Sequence, residues 1–202
     1  MQSYKCCMLI KHMFSSINMN KFLTKGRTLE MLEHKLRCAK ILPTCIFTIY
    51  EWSINKNSIK QKIFDLLGAG PWIVRSSFSG EDNSESSNAG AFASVLDVIY
   101  ENLEEAVNTV IQSYSNQSVS EEILIQPMLQ NVVVSGVAFS HDPNTASPDR
   151  IINWAEGFDT QAVTAGQAGQ VWQIAAGCKK NTIKIKLLEP VYDLIDELLS
   201  IF

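Results

Sequence analysis

From Thr28 to Lys40, apolar Leu29, Leu32, Leu36 and Ala39 recur at helical spacing among charged residues, predicting an amphipathic helix with one face on a core. Pro43 closes it. "CIFTIY" (45–50) reads as a strand, and Ile59, Ile63 and Leu66, with Gly68 just beyond, predict a second short helix with a glycine stop. "PWIVRSS" (71–77) then begins a buried strand. The clearest period runs over 103–114, where Leu103, Ala106, Val107, Val110, Ile111 and Tyr114 share one helical face. Asn102 stands as its cap, and Glu105 completes a capping-box pattern.

Beyond this helix the pattern changes. "EILIQPML" (122–129), "VVVSGVAFS" (132–140), "RIINWA" (150–155), "QVWQIAA" (170–176) and "TIKIKLL" (182–188) are short β-rich runs separated by Gly, Pro, Asn and Asp. Such runs predict an antiparallel sheet joined by turns, and with the helices grouped before and after it the class is α+β. Pro190 fits the first turn of a final helix striped by Val191, Leu194, Ile195, Leu198 and Leu199. Two readings of that helix stand: it docks on its own sheet, or it belongs to a domain cut short.

The net charge of −4, from 17 Lys and Arg against 21 Asp and Glu, gives no broad attraction to nucleic acid. Any phosphate must be held locally. Five scattered cysteines without a C-x-x-C pair suit reduced thiols and a cytoplasmic setting, and three distant histidines lack zinc-ligand spacing. No apolar stretch approaches the roughly 20 residues that cross a membrane. Residues 1–20, with four of the six methionines, read as an N-terminal tail, leaving 21–202 as the domain.

The run Arg75–Asn88 contains one apolar residue, Phe78, in a chain that is 46% apolar. Arg75, Ser76, Ser77, Ser79 and Gly80 supply a guanidinium fork, hydroxyls and flexible backbone, the donors that a phosphate requires. Glu81, Asp82 and Glu85 would repel a bare polyphosphate, so an intervening cation or internal pairing is needed, with Glu81 and Asp82 the metal candidates. A solvated loop and an anion loop both fit this composition.

"VRSSFSGEDNSESSNAGAF" (74–92) resembles the V-R-S-S-(x)3-E-D-(x)n-S-(x)-A-G motif of the nucleotide-binding domain in phosphoenolpyruvate synthase, pyruvate phosphate dikinase and rifampicin phosphotransferase. "ILIQPML" (123–129) followed by "SGVAFSHDPNT" (135–145) is similar to that family's glutamine-bearing strand and its S-G-V-x-F-(x)2-D-P-x-T hairpin, in the same order. Upstream, "LTKGRTLEML" (23–32) echoes a G-G-K-G segment through Lys25 and Gly26; its order is not that of a Walker A loop.

The resemblance implies an ATP-grasp-like fold, antiparallel sheets and helices forming two lobes around ATP and Mg²⁺. It implies Lys25 and Arg75 on the phosphates with Ser76 and Ser77 beside them, Gly90 and Ser94 on a covering loop, and Gln126 lining the nucleotide pocket. On the residues alone, Lys25 reads equally as a surface lysine, Gly90 as a turn glycine and Gln126 as a satisfied polar residue in a strand. "EGFDTQAVTAG" (156–166) departs from the family's G-L-G-E segment. The family's D-x-E and Q-x-R-P strands, which bring metal-binding carboxylate and an arginine for phosphoryl transfer, do not occur in this sequence. The resemblance therefore implies a domain incomplete at its C-terminal end, with a separate chain supplying those strands and a phospho-histidine domain. A non-catalytic nucleotide-binding module and a β-rich interaction protein are the alternatives. His141 reads as a turn residue, since the family's carrier histidine lies in a separate T-S-H-type motif.

Overall fold

A computed structural model of the chain describes residues 23–77, 94–114, 118–157, 169–175, 177–178 and 185–202, together with the backbone of 6–11. In chain order the elements are β1 (Cys6–Lys11), α1 (Lys25–Glu33), β2 (Cys45–Thr48), α2 (Ile49–Leu67), β3 (Trp72–Ser77), β4 (Ser94–Val98) and α3 (Leu103–Ser113). There follow β5 (Glu122–Pro127), β6 (Val134–Phe139), β7 (Arg150–Glu156), β8 (Gln170–Ile174), a 3₁₀ turn at Lys186–Leu188 and α4 (Glu189–Ile201). They form two compact units. One comprises Met19–Lys35 and Ile41–Met128, the other Met1–Asn18, Leu36–Lys40 and Leu129–Phe202.

The first unit is built on a four-stranded sheet of order β2-β5-β3-β4, with antiparallel pairing throughout. Strand residues alternate between faces, so Cys45 and Phe47, Trp72 and Val74, and Ile123 and Ile125 point one way. There they meet Trp52, Ile59 and Ile63 of α2 and Leu103, Ala106, Val107 and Val110 of α3 in one apolar core. The 3.6-residue stripe read at 103–114 is thus the buried face of α3. The opposite face of the sheet carries Ile46, Ile73, Arg75, Ser77, Glu122, Leu124 and Gln126, a mixed set that includes Arg75, Ser77 and Gln126 of the polar residues singled out above.

Several boundaries differ from the sequence reading, each for a local reason. The first helix begins at Lys25 and ends at Glu33, where Thr28–Lys40 was expected. Thr24 caps it, its hydroxyl accepting the Arg27 N–H at 3.3 Å. Residues 36–40 leave the helix and join the second unit, where the Glu197 carboxylate accepts the N–H groups of Arg37 (2.8 Å) and Cys38 (2.9 Å). The expected strand 45–50 stops at Thr48 because Thr48 and Glu51 form a reciprocal capping box that starts α2. That helix is 19 residues long with a kink at Asn55, and it ends at Gly68, whose φ of 77° closes the turn. Asn102 does precede α3, but its side chain makes no cap bond to the helix; Oδ1 accepts the Ile99 N–H instead, at 2.8 Å.

The second unit holds a sheet of order β1-β6-β7-β8. The five runs read as one meander are therefore divided: β5 pairs with β2 and β3, while β6, β7 and β8 form the hairpins of the other sheet. β1 lies inside the segment expected as a tail and pairs parallel with β6, in an otherwise antiparallel sheet. The last run, 182–188, ends in the 3₁₀ turn at Lys186–Leu188, its first three residues lying outside the described ones. Helix α4 packs Val191 and Ile195 against Val134, Ala138, Ile152 and Trp154. Arg150 stacks on the Tyr192 ring at 4.9 Å and pairs with Asp196.

Candidate functional site

The V-R-S-S segment forms the last four of the six residues of β3. Arg75 lies in register with Leu124 of β5 on one side and Ser94 of β4 on the other, and it is half-buried. Ser77 shares its face, two residues on, and is fully buried. Ser76 is also buried, but it stands on the core side of the strand beside Ile123 and is not brought to the Arg75 face. Ser94 is the first residue of β4, exposed and one strand from Arg75, so it sits on a strand rather than a loop. Gly90, Glu81 and Asp82 lie outside the described residues.

Ser77 joins two motifs that are far apart in sequence. Its Oγ accepts the N–H of Gly26 at 2.9 Å, across 51 residues and within the interior. This fixes the Lys25–Gly26 turn, the first turn of α1, at the end of the V-R-S-S strand. Close approach explains the glycine: a Cβ at position 26 would lie 2.7 Å from Cδ1 of Ile46 and 3.1 Å from Ser77 Oγ. Lys25 is the first residue of α1, half-buried, directly after the Thr24 cap. The turn therefore presents an ammonium group at the positive end of a helix.

The same corner contains residues that the sequence reading did not select. Glu122, at the start of β5, is 9% exposed, and its carboxylate accepts from Thr24 Oγ1 at 2.5 Å and Arg27 Nε at 2.8 Å. Arg27 also pairs with Glu30 at 2.9 Å, and the Glu122 hydrogen bond foremost raises the guanidinium above its ordinary value. Tyr114, just past α3, places its hydroxyl at the last rung between β3 and β5. It accepts the Ser77 N–H at 3.1 Å and donates to the Glu122 carbonyl at 2.5 Å. Glu122 was visible as an acid opening an apolar strand, but no local signal linked it to partners some 95 residues upstream.

Gln126 shares the Arg75 face, opposite Ile73, and is buried. Its amide donates to Thr44 Oγ1 at 3.0 Å and approaches the Leu42 carbonyl at 3.5 Å, so the 42–44 segment orients it. In the second unit the D-P-x-T motif builds the turn between β6 and β7. The Asp142 carboxylate accepts the N–H of Asn144 at 2.7 Å and of Thr145 at 3.4 Å, which holds it below the usual carboxylate range. His141 belongs to that turn, with Nδ1 3.1 Å from Ser140 Oγ. Among the described residues no group of three or more His, Cys, Asp or Glu could hold a metal ion, and no helix is long and apolar enough to cross a membrane.

The motifs and their placement agree with comparison to known families. The chain matches the profile described as pyruvate phosphate dikinase, AMP/ATP-binding domain, over residues 53–184, well over half its length. The chain belongs to that family. Within the pyruvate phosphate dikinase-type domain the match covers Arg75, Ser77, Ser94, Glu122, Gln126 and the Asp142 turn. The Lys25–Gly26 turn lies upstream of it and is connected to it here by the bond to Ser77. No curated protein matches the chain.

Proposed function

We propose that this chain is the nucleotide-binding part of a cytoplasmic phosphotransferase of the pyruvate phosphate dikinase type, taking ATP as its magnesium complex on the Arg75 face of β3. In this reading Arg75 and Lys25 neutralise phosphate charge, Ser77 holds the Lys25–Gly26 turn in place, and Gln126, Ser94 and Gly90 line or cover the nucleotide. Ser76 contributes backbone and core packing rather than a side-chain contact. The ATP-grasp-like arrangement of two lobes implied by the family resemblance is part of the same proposal.

The observation that carries this reading is the Gly26 N–H to Ser77 Oγ bond. It unites the two segments that the family resemblance assigns to phosphate, at the N-terminus of a helix, whose dipole favours anions. The acids that the described residues place at this corner do not form a metal site: Glu122 is engaged by Thr24 and Arg27. No step is therefore assigned to a protein-held metal, and Mg²⁺ enters with the triphosphate. Phosphoryl transfer further requires the carboxylate and arginine of the D-x-E and Q-x-R-P segments. The proposal for the residues described is therefore confined to nucleotide binding.

A thermal-shift titration tests the binding claim. A ligand at about 100 times its Kd stabilises the folded state by about 2.7 kcal/mol. Mg-ATP should accordingly raise the Tm of the wild type by several degrees, and Arg75→Ala should abolish the rise. An unchanged wild-type Tm at millimolar Mg-ATP would overturn the proposal.

A further inference from the structure

We infer that Glu122 is a positioning residue for nucleotide binding: its buried carboxylate fixes the rotation of the first turn of α1 and so aims Lys25 at the ligand. The inference rests on the reading of the Arg75 face given above. Glu122 grips that turn on both sides of the lysine, at Thr24 Oγ1 and at Arg27 Nε. Its main-chain carbonyl receives the Tyr114 hydroxyl, which accepts the Ser77 N–H, and Ser77 Oγ in turn accepts from Gly26. The bonds close a ring that runs from Glu122 through the helix turn to Ser77 and back through Tyr114.

Stability alone does not require such an arrangement. The Arg27 side chain is 45% exposed, and an ion pair so open to solvent adds little to stability, whereas a carboxylate with directed bonds specifies one geometry. The geometry specified here is that of the segment flanking Lys25. Arg27, the other cation of the turn, is committed to Glu122 and Glu30 and serves as the anchor. Lys25 is the residue that this anchor carries.

Calorimetric titration of Mg-ATP into the wild type, Glu122→Gln, Lys25→Ala and the double variant tests the inference. A ligand whose competent conformation is populated about one tenth of the time binds about tenfold more weakly. Glu122→Gln should accordingly raise Kd about tenfold, Lys25→Ala at least as much, and the double variant no more than about twofold beyond Lys25→Ala, because Glu122 acts through the lysine. Without nucleotide, hydrogen exchange at the Gly26 and Arg27 amides should accelerate in Glu122→Gln while the amides of Val107 and Val110 in α3 keep wild-type protection. Should Glu122→Gln fail to fold, Thr24→Val and Arg27→Gln remove the same grip from the helix side and are expected to weaken binding with the same non-additivity. Multiplicative losses in the double variant, or an unchanged Kd in Glu122→Gln, would overturn the inference while leaving the nucleotide reading in place. Absence of wild-type binding would remove both.

Discussion

Replacing Gly26 by Ala sets helix propensity against packing. Its backbone is not in the left-handed region, so alanine is conformationally acceptable, and in a solvent-exposed helix the change would gain up to about 1 kcal/mol. Here the added methyl would sit 2.7 Å from Ile46 Cδ1, 3.0 Å from its Cγ1 and 3.1 Å from Ser77 Oγ, with Ile46 only 8% exposed. Overpacking of this kind costs about 1–3 kcal/mol, and stretching the Gly26 to Ser77 hydrogen bond adds about 1 kcal/mol. The net destabilisation is about 1–3 kcal/mol. For a chain of this length each kcal/mol moves Tm by about 2–4 °C, so scanning calorimetry should find the variant lower by about 2–12 °C. Ile46→Val removes the Cδ1 that meets the methyl, and the double variant should therefore be more stable than the sum of the two single losses. A Tm equal to or above that of the wild type in Gly26→Ala would refute the close packing of α1 on β2 and β3.

Two further perturbations probe the polar framework. Tyr114→Phe removes the hydroxyl that serves both Ser77 N–H and the Glu122 carbonyl; urea unfolding should show a loss of about 1–3 kcal/mol, and a change below about 0.5 kcal/mol would contradict the buried bridge. Among the described residues three carboxylates are held below their ordinary range chiefly by backbone N–H groups: Glu51 by that of Thr48, Asp142 by that of Asn144 and Glu197 by that of Cys38. A depressed folded-state value means a contribution present above the unfolded value, near pH 4, and lost as pH falls through the folded one. Tm should hold from about pH 7 to 5 and drop below about pH 4, less steeply in Glu51→Gln; a Tm that rises on acidification through that window would contradict the assignment.

The apolar periodicities were the most legible part of the fold, because burying a stripe or a strand face is a local demand that each segment writes into itself. The stripe of α3 and the β3 strand followed directly. Capping was partly legible. Thr48 and Glu51 form a T-x-x-E signature that marks the start of α2, yet the β-branched residues around it read as a continuing strand. Asn102 and Glu105 offered the same kind of signature, but the asparagine bonds back to Ile99.

Residues 36–40 kept the helical spacing of leucines, and only Glu197, 160 residues away from Arg37, shows why they leave the helix. Strand partnership was equally hidden, for nothing local distinguishes β5, inserted between β2 and β3, from the hairpin strands after it. In the candidate site, Arg75 and the lysine turn were named by motif. Glu122, Thr24, Arg27 and Tyr114 emerged only from contacts across the sheet, since an acid or a tyrosine carries no mark of a distant partner.

The central claim is that nucleotide phosphates lie where the V-R-S-S strand meets the Lys25–Gly26 turn. Titrating Mg-ATP into ¹⁵N-labelled protein and following amide resonances reads this most directly. The account predicts that the signals of Gly26 and Ser77 move together, saturably and with one Kd, and that neither moves in Arg75→Ala. Both signals remaining still while ATP saturates a site elsewhere on the chain would contradict it.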